Sequence, residues 1–421
     1  MRGSLDVTAL HRALNTVVAR QEALRTTFVF DGYEPLQVIW PELTVALPVT
    51  EVAGEVGELI RAEIERPFDL REPPLVRMRL LRCSATEHVA VLVMHHIVTD
   101  GWSSAILFQE LSECYEAYAA GCQPRLPELP VQYADFAVWQ RETLAGEGLA
   151  ELVDYWTDRL TGVSPLLLPT DRARPAQASA AGDTYAFHLS VPVVSRLERV
   201  AREAGVTPFM VFLAAFAVLL ARYAGRADLT IASPVVGRSR PETAGLIGFF
   251  VNTLILRADV SGDPTFVELL ARVKETCLGA YAHADVPYEK LVEELRPDRY
   301  TGNGGPLAQV MFSLQTIPSA EWKAGGLVFE MMHVATRTAK FDLSLEITPI
   351  DGIHRAVLEY STELFEPATV QRLAELYTTL LESITADPHR RVSTLALLSD
   401  AARRALLPGA AAGAEIGRAH V

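Results

Sequence analysis

Between Leu5 and Leu24 the apolar side chains Leu10, Leu14, Val17 and Val18 recur at three- and four-residue steps, the spacing of an amphipathic helix. TTFVF (Thr26 to Phe30), β-branched and aromatic throughout, predicts a strand. Glu51 to Arg66 returns to helical spacing. Leu75 to Leu81 and His88 to Met94 read as strands, and Ser103 to Ala119 as a helix with Ile106, Leu107, Leu111 and Tyr115 on one face. Val89 to Met94 is apolar on both faces, which predicts a central strand. Farther on come a strand at Thr184 to Leu189 and a helix at Val194 to Ala204. Strands follow at Asp228 to Ser233 and Val251 to Ala258, then a helix at Pro264 to Ala282. Late strands are predicted at Val310 to Gln315, Leu343 to Thr348 and Ala356 to Tyr360, and a last helix at Pro367 to Ala386. Interleaved strands and helices in both halves predict an α/β fold.

The most apolar stretch, Phe209 to Ala221 (FMVFLAAFAVLLA), falls short of the roughly 20 residues of a membrane span. Thr207 and Pro208 stand before it as N-cap and first-turn residues, and Gly225 stands at the C-cap position, so it predicts a buried core helix. A chain of 421 residues suggests two domains. The Pro-, Ala- and Ser-rich run from Leu168 (LPTDRARPAQASAA) is the candidate linker. The expected division is therefore 1–167, a linker at 168–182, and 183–392.

The net charge of -14 argues against nucleic acid and anionic membrane as partners. Cys83, Cys114, Cys122 and Cys277 include no CxxC pair, so neither a zinc site nor a redox pair is signalled, and reduced thiols in a cytoplasmic protein are expected. MRGSLDVTAL has no apolar signal-peptide core. Residues 416–421 break the composition and read as a translated sequencing artefact.

The chemistry concentrates in VLVMHHIVTDGWSS (Val91 to Ser104). Successive strand residues face opposite ways, so His95 and His96 are expected to separate, one toward packing and one toward a cleft, rather than to share a metal. The competing reading is two core histidines bonded to backbone carbonyls. Asp100 can fold back on the loop, and Gly101 permits a tight turn. A helix beginning near Trp102 supplies free N–H groups. A base, backbone donors and a rigid strand end suit acyl transfer. No GxSxG motif or partnered cysteine provides a nucleophile, which favours direct attack of one substrate on another.

HHIVTDGWS resembles the HHxxxDG signature of condensation domains of nonribosomal peptide synthetases. Further motifs follow in order. RQEALRTTF (Arg20 to Phe28) resembles RHExLRTxF, with Gln21 where histidine is usual. YADFAVW (Tyr133 to Trp139) and IGFFVNTLILR (Ile247 to Arg257) resemble two others. HADVPYEKLV (His283 to Val292) has Ala284 where glutamine is usual. RYTGNGGPLAQVMFSLQ (Arg299 to Gln315) is a looser match.

The resemblance implies two chloramphenicol-acetyltransferase-like lobes in a V-shaped pseudo-dimer, with a tunnel admitting two phosphopantetheine arms. It implies catalysis by His96 and a mostly structural His95. Asp100 would pair with Arg25, and Gly101 would bring its backbone near the thioester beside Trp102. Asn252 would contribute from the second lobe, while Asp135 and Trp139 would support the first. The implied reaction joins a donor aminoacyl or peptidyl thioester to an acceptor aminoacyl thioester, both on carrier proteins, through an amide bond. FVNTLILR and LVEELRP resemble the type joining two L-residues. No metal or resident cofactor is implied; 4'-phosphopantetheine arrives on the upstream and downstream carriers.

The family's first strand and helix, with an SxAQxRLW-like motif, have no counterpart here, so the chain is expected to lack several tens of residues at its front. Residues 393–415 resemble the linker toward an adenylation domain. Rival readings are an epimerization-type domain, a non-catalytic recruitment platform and an inactive fragment. Platforms of that kind typically lose the second histidine. Heterocyclization domains carry aspartates in place of both histidines, and plant-type acyl-CoA transferases need a DFGWG segment absent here.

Overall fold

Side chains alternate along Val76 to Arg82. Val76 and Met78 enter one apolar core, and Arg77 and Arg79 turn to the opposite face. This alternation fixes a strand with a helix-bearing layer on each side. The computed structural model describes residues 1–406 apart from 33, 164, 296–306, 316–320, 333, 335, 336 and 351.

In chain order the elements begin with α1 (Val7–Arg20), β1 (Thr26–Phe30), β2 (Pro35–Ile39), β3 (Val49–Glu51) and α2 (Gly57–Glu65). β4 (Val76–Arg82), β5 (His88–Met94), α3 (Gly101–Ala119), α4 (Tyr133–Thr143) and α5 (Glu147–Leu160) follow. Next come β6 (Gly182–Leu189), α6 (Val191–Ala204), α7 (Pro208–Ala224), β7 (Asp228–Val235), β8 (Asn252–Asp259), α8 (Phe266–Ala282) and α9 (Tyr288–Leu295). The last are β9 (Val310–Leu314), β10 (Glu321–Ala324), β11 (Leu327–Glu330), β12 (Leu343–Ile350), β13 (Ile353–Ser361), α10 (Pro367–Ala386) and α11 (Asp400–Leu406).

The chain divides into two units. The first comprises Met1–Glu151, Val235–Asn252 and Pro318–His333. Its sheet runs β3-β4-β5, with β3 parallel and β5 antiparallel to β4, in the register Val76↔Met94 and Arg77↔Val93. α1 and α3 pack together over one face through Leu10, Leu14, Val17, Leu107 and Leu111, joined there by Met78. α2 covers the other face through Ile60 against Leu81 and Val91. The β10–β11 hairpin turns on Gly325 and Gly326, both at positive φ, and stacks Trp322 on Phe329 with centroids 5.2 Å apart. Trp322 Nε1 donates to Ser112 Oγ on α3 at 2.9 Å.

The second unit comprises Leu152–Pro234, Thr253–Ile317 and Val334–Val421. Its six-stranded sheet has the order β6-β13-β12-β9-β7-β8, antiparallel across β6-β13-β12 and parallel across β12-β9-β7. α7 is buried from Met210 to Ala221, with Thr207 accepting from Met210 N and Gly225 closing it at φ 65°, as its sequence implies. Tyr377 of α10 donates to the Phe212 carbonyl at 3.0 Å. Among the described residues no single helix is long and apolar enough to cross a membrane.

The linear division into lobes is corrected by these contacts. The units exchange segments, and residues 168–182 belong wholly to the second. Up to Ala180 that stretch carries no regular structure, yet polar side chains in it are bound, and Gly182 already begins β6. Asp171 accepts from Glu366 N and Thr369 Oγ1, both at 2.8 Å. Arg174 reaches both oxygens of fully buried Asp342. Pro and Ser content marked it as irregular, but irregular backbone anchored by ion pairs is not a free linker. The expected artefact at 416–421 and residues 299–306 of the looser motif lie outside the described residues.

Arg174→Ala would leave the Asp342 carboxylate buried without its guanidinium, a loss of about 3 kcal/mol. Urea unfolding of the two proteins measures it; a free linker would give almost no change.

Candidate active site

β5 ends at Met94, and along it the side chains alternate between two layers. Val89, Val91 and Val93 face α2; Ala90, Leu92 and Met94 face the α1–α3 core. His95 is half-buried and His96 exposed. His95 N still donates to Leu75 O at 3.0 Å, after which the chain coils into a 3-10 turn over His96–Val98.

The rings take opposite tautomers. His95 Nδ1 accepts from the backbone N–H of Ile97 at 3.1 Å, so in the neutral ring its proton sits on Nε2. His96 Nδ1 lies 2.7 Å from the Thr99 carbonyl, which only accepts, so Nδ1 carries the proton and Nε2 carries the lone pair. Phe249 meets the His96 ring edge-on, with centroids 5.0 Å apart. Burial, with His96 adding to it, pulls the pKa of His95 below histidine's ordinary value.

Asp100 is the N-cap of α3. Its Oδ1 accepts from Ser103 N at 2.7 Å, and its Oδ2 from Phe250 N at 3.0 Å. The arginine facing it is Arg238, at 3.4 Å, with side chains only 3% and 4% exposed. This corrects the pairing expected with Arg25. Arg25 is occupied by Glu22 at 3.1 Å and by the Trp40 and Ala19 carbonyls, because the 3-10 turn Glu22–Arg25 aims it back along its own segment. Arg238 also donates to Ser103 Oγ at 2.7 Å and to Leu246 O at 2.8 Å, and lies 4.0 Å over the Phe250 ring. Burial lowers its pKa, with Asp100 opposing.

The 235–252 segment is fastened at further points. Ser103 Oγ donates to Gly248 O, and Gly248 N donates to Ser103 Oγ. Gln21, at the usual histidine position, is buried; its amide donates to Gly245 O and Glu110 and accepts from Ile247 N. Trp102 is half-exposed and donates to Ala244 O at 3.2 Å. Tyr133 donates to Phe249 O, and burial beside Asp100 pushes its pKa up to about 12. A Cβ at Gly248 would lie 2.2 Å from the Tyr133 ring, so glycine is required there. Asp135 caps α4 through Gln132 N, and Arg240 lies 4.1 Å over Trp139, so both residues support the first unit.

Gly101 opens α3 with ordinary backbone angles, and a Cβ there would meet no heavy atom within 4 Å. The chain's own packing does not demand glycine; the position leaves open space at the helix start. Asn252 is half-buried and groups with the first unit, not the second. The residues missed in the sequence are Arg238, Ser103 and Phe249. All but Ser103 lie more than 130 positions from Asp100 along the chain, which local pattern does not bridge.

Arg238→Met would strand the Asp100 carboxylate and destabilise the domain by about 3–5 kcal/mol, whereas Arg25→Met would cost about 1–2 kcal/mol, both read by urea denaturation. Burial also lowers the pKa of His88 below 6.5, as it does for His95. Their stabilisation is complete above the ordinary value and is lost as pH falls toward the lowered folded values, because the unfolded chain binds those protons first. The melting midpoint will drop between pH 7.5 and 5.5, and His88→Leu will flatten that slope.

The family model described as condensation domain matches residues 1–407. The chain is 43% identical over 418 residues to one of the linear gramicidin synthase proteins of Brevibacillus parabrevis, covering 97% of this chain and 5% of that protein. It is 42% identical to chondramide synthase of Chondromyces crocatus, covering 96% and 10%. The chain thus spans a small part of the length of these relatives. Among solved structures, the X-domain from teicoplanin biosynthesis aligns with TM-score 0.86 and 32% identity over 94% of this chain and 91% of that one. The condensation domain of the monacolin K polyketide synthase MokA aligns with TM-score 0.82 and 26% identity over 93% and 92%. With the HHxxxDG turn, its capped helix and its tethered loop in place, the chain belongs to the condensation-domain family and shares its chloramphenicol-acetyltransferase-like fold.

Proposed function

We propose that this chain forms an amide bond between a donor aminoacyl or peptidyl thioester and the α-amine of an acceptor aminoacyl thioester. Both substrates ride on phosphopantetheine arms of carrier proteins. The observation that carries the reading is the His96 ring, exposed, with Nδ1 committed to Thr99 O and the Nε2 lone pair available. The amine is the nucleophile. Nε2 accepts its N–H as nitrogen closes on the thioester carbonyl. The C–N bond forms, the C–S bond breaks, and the proton leaves with the thiol. Such a base contributes about 10²–10⁴-fold.

The open space at Gly101 fits a substrate arm passing beside the first turn of α3. The positive end of that helix favours the negative charge of the tetrahedral intermediate. Asp100 is a positioning residue: all its described partners are structural groups of the same unit. Leucine after FVNT and the LVEELRP run support a donor and acceptor of L-configuration. The long synthetases among the relatives support carrier proteins and an adenylation domain as neighbours in a cytoplasmic assembly line.

Likeness to the X-domain supports a second reading, a platform that recruits another enzyme. In one solved structure the teicoplanin X-domain is in complex with OxyB.

Intact-protein mass spectrometry of a single turnover between two loaded carriers separates these readings. Wild type will place a dipeptidyl mass on the acceptor carrier, more with an L-donor than with its D-epimer. His96→Ala will melt as wild type and lose about 10²-fold or more in rate. Equal product from both chains would remove His96 from the chemistry, and no product from either would favour the platform.

A further inference from the structure

The α2 face of the first sheet carries a charged stack that leads to His95. The His95 ring meets Phe68 edge-on at 6.2 Å and 85°. The Arg77 guanidinium lies 3.9 Å over the Phe68 ring. Arg77 is 9% exposed and is gripped by Glu63: Nε lies 2.9 Å from Oε1, and Nη2 donates to the Glu63 carbonyl at 2.8 Å and to the Arg66 carbonyl. Glu63, 7% exposed, also meets Arg79 at 2.8 Å and Arg66 at 3.4 Å.

One buried carboxylate facing three guanidiniums is a poor device for stability alone, since well-packed apolar residues commonly serve as well. Its geometric effect is specific. The stack fixes Phe68, and Phe68 bounds the ring of His95. A histidine ring turns about a broad, roughly two-fold torsion. A half-turn would exchange Nδ1 for a carbon and break the bond from Ile97 N. That bond lies inside the turn that presents His96, whose own Nδ1 bond closes on Thr99.

We infer that Phe68 and Arg77 are positioning residues for the reaction: their stack locks the His95 ring so that the His96 turn keeps Nε2 turned outward. The inference rests on the reading of His96 as the reacting base.

The test compares Phe68→Leu, Phe68→Tyr and Arg77→Lys in the full chain. Phe68→Leu removes the ring edge, Phe68→Tyr keeps it, and Arg77→Lys keeps the charge but loses the planar stack. Single-turnover rate is measured against carrier concentration, and histidine tautomers are read by ¹⁵N NMR. Phe68→Leu and Arg77→Lys are expected to lower the saturating rate by about 10- to 100-fold with half-saturation unchanged. In both, the single Nδ1–H pattern of His96 will become mixed, and Phe68→Tyr will restore rate and pattern.

An unaltered His96 pattern in both, or a rate loss matched by the unfolded fraction, overturns the inference. If Phe68→Leu does not fold, Arg77→Lys carries the comparison. The nitrogen pattern needs no turnover, so an inactive wild type would refute the proposed reaction and leave this inference separately decidable.

Discussion

The Asp100 carboxylate joins two stretches of chain that are distant in sequence, the start of α3 and the 235–252 segment. It closes the N-terminus of α3 through Ser103 N, takes Phe250 N from the 235–252 segment, and faces the buried guanidinium of Arg238. Charge-assisted bonds in a low-dielectric setting are strong when complete and costly when broken. Displacing any one partner would therefore leave a buried charge short of compensation. This makes the geometry close to all-or-none. The turn His96–Val98, separated from Asp100 by Thr99 alone, inherits that rigidity. Arg238 extends the constraint by holding the carbonyls of its own segment, so the loop and the helix start are set by one network.

Local rules carried much of the fold. β5 ends at Met94 where the apolar run ends, and α10 spans Pro367–Ala386 as its pattern implies. The flanking Thr207 and Gly225 delimit α7 because caps act through bonds within a few residues. Two missed elements had signals of the same kind. In α5, Leu149, Leu152, Val153, Trp156 and Leu160 follow helical spacing beside a proline-rich stretch. EWKAGGLVFE flanks Gly-Gly with alternating residues, a hairpin signature, and both glycines are at positive φ.

The site was legible in part for a different reason. Capping by Asp100 follows from its place before a helix, whereas strand alternation does not reach the histidines, because β5 stops at Met94 and a 3-10 turn begins at His96. The choice of Arg238 over Arg25 does not follow from any local rule. Both are arginines near family motifs, and only the tertiary path of 235–252 brings one to Asp100. The same path defeats a linear domain division, since a boundary drawn once along the chain cannot describe units that exchange segments. Gln21 illustrates the point: it replaces a residue type usual in the motif, yet its amide both donates and accepts across to that segment.

The opposed tautomers explain why two histidines stand together. At position 95 the turn needs an acceptor for Ile97 N, a role that a carboxamide oxygen would also fill. At position 96 it needs a side chain that donates to Thr99 and still offers a lone pair on the far side. Among neutral side chains near pH 7, imidazole alone has a donor and a basic acceptor on opposite sides of one rigid ring. Asparagine has both groups on one carbon, but its free oxygen is too weak a base to hold an amine proton. On the proposed reading, the first histidine serves turn geometry and the second serves the chemistry. The 3-10 turn that begins at His96 leaves the first ring half-buried and the second exposed, and so lets identical neighbours differ in surroundings.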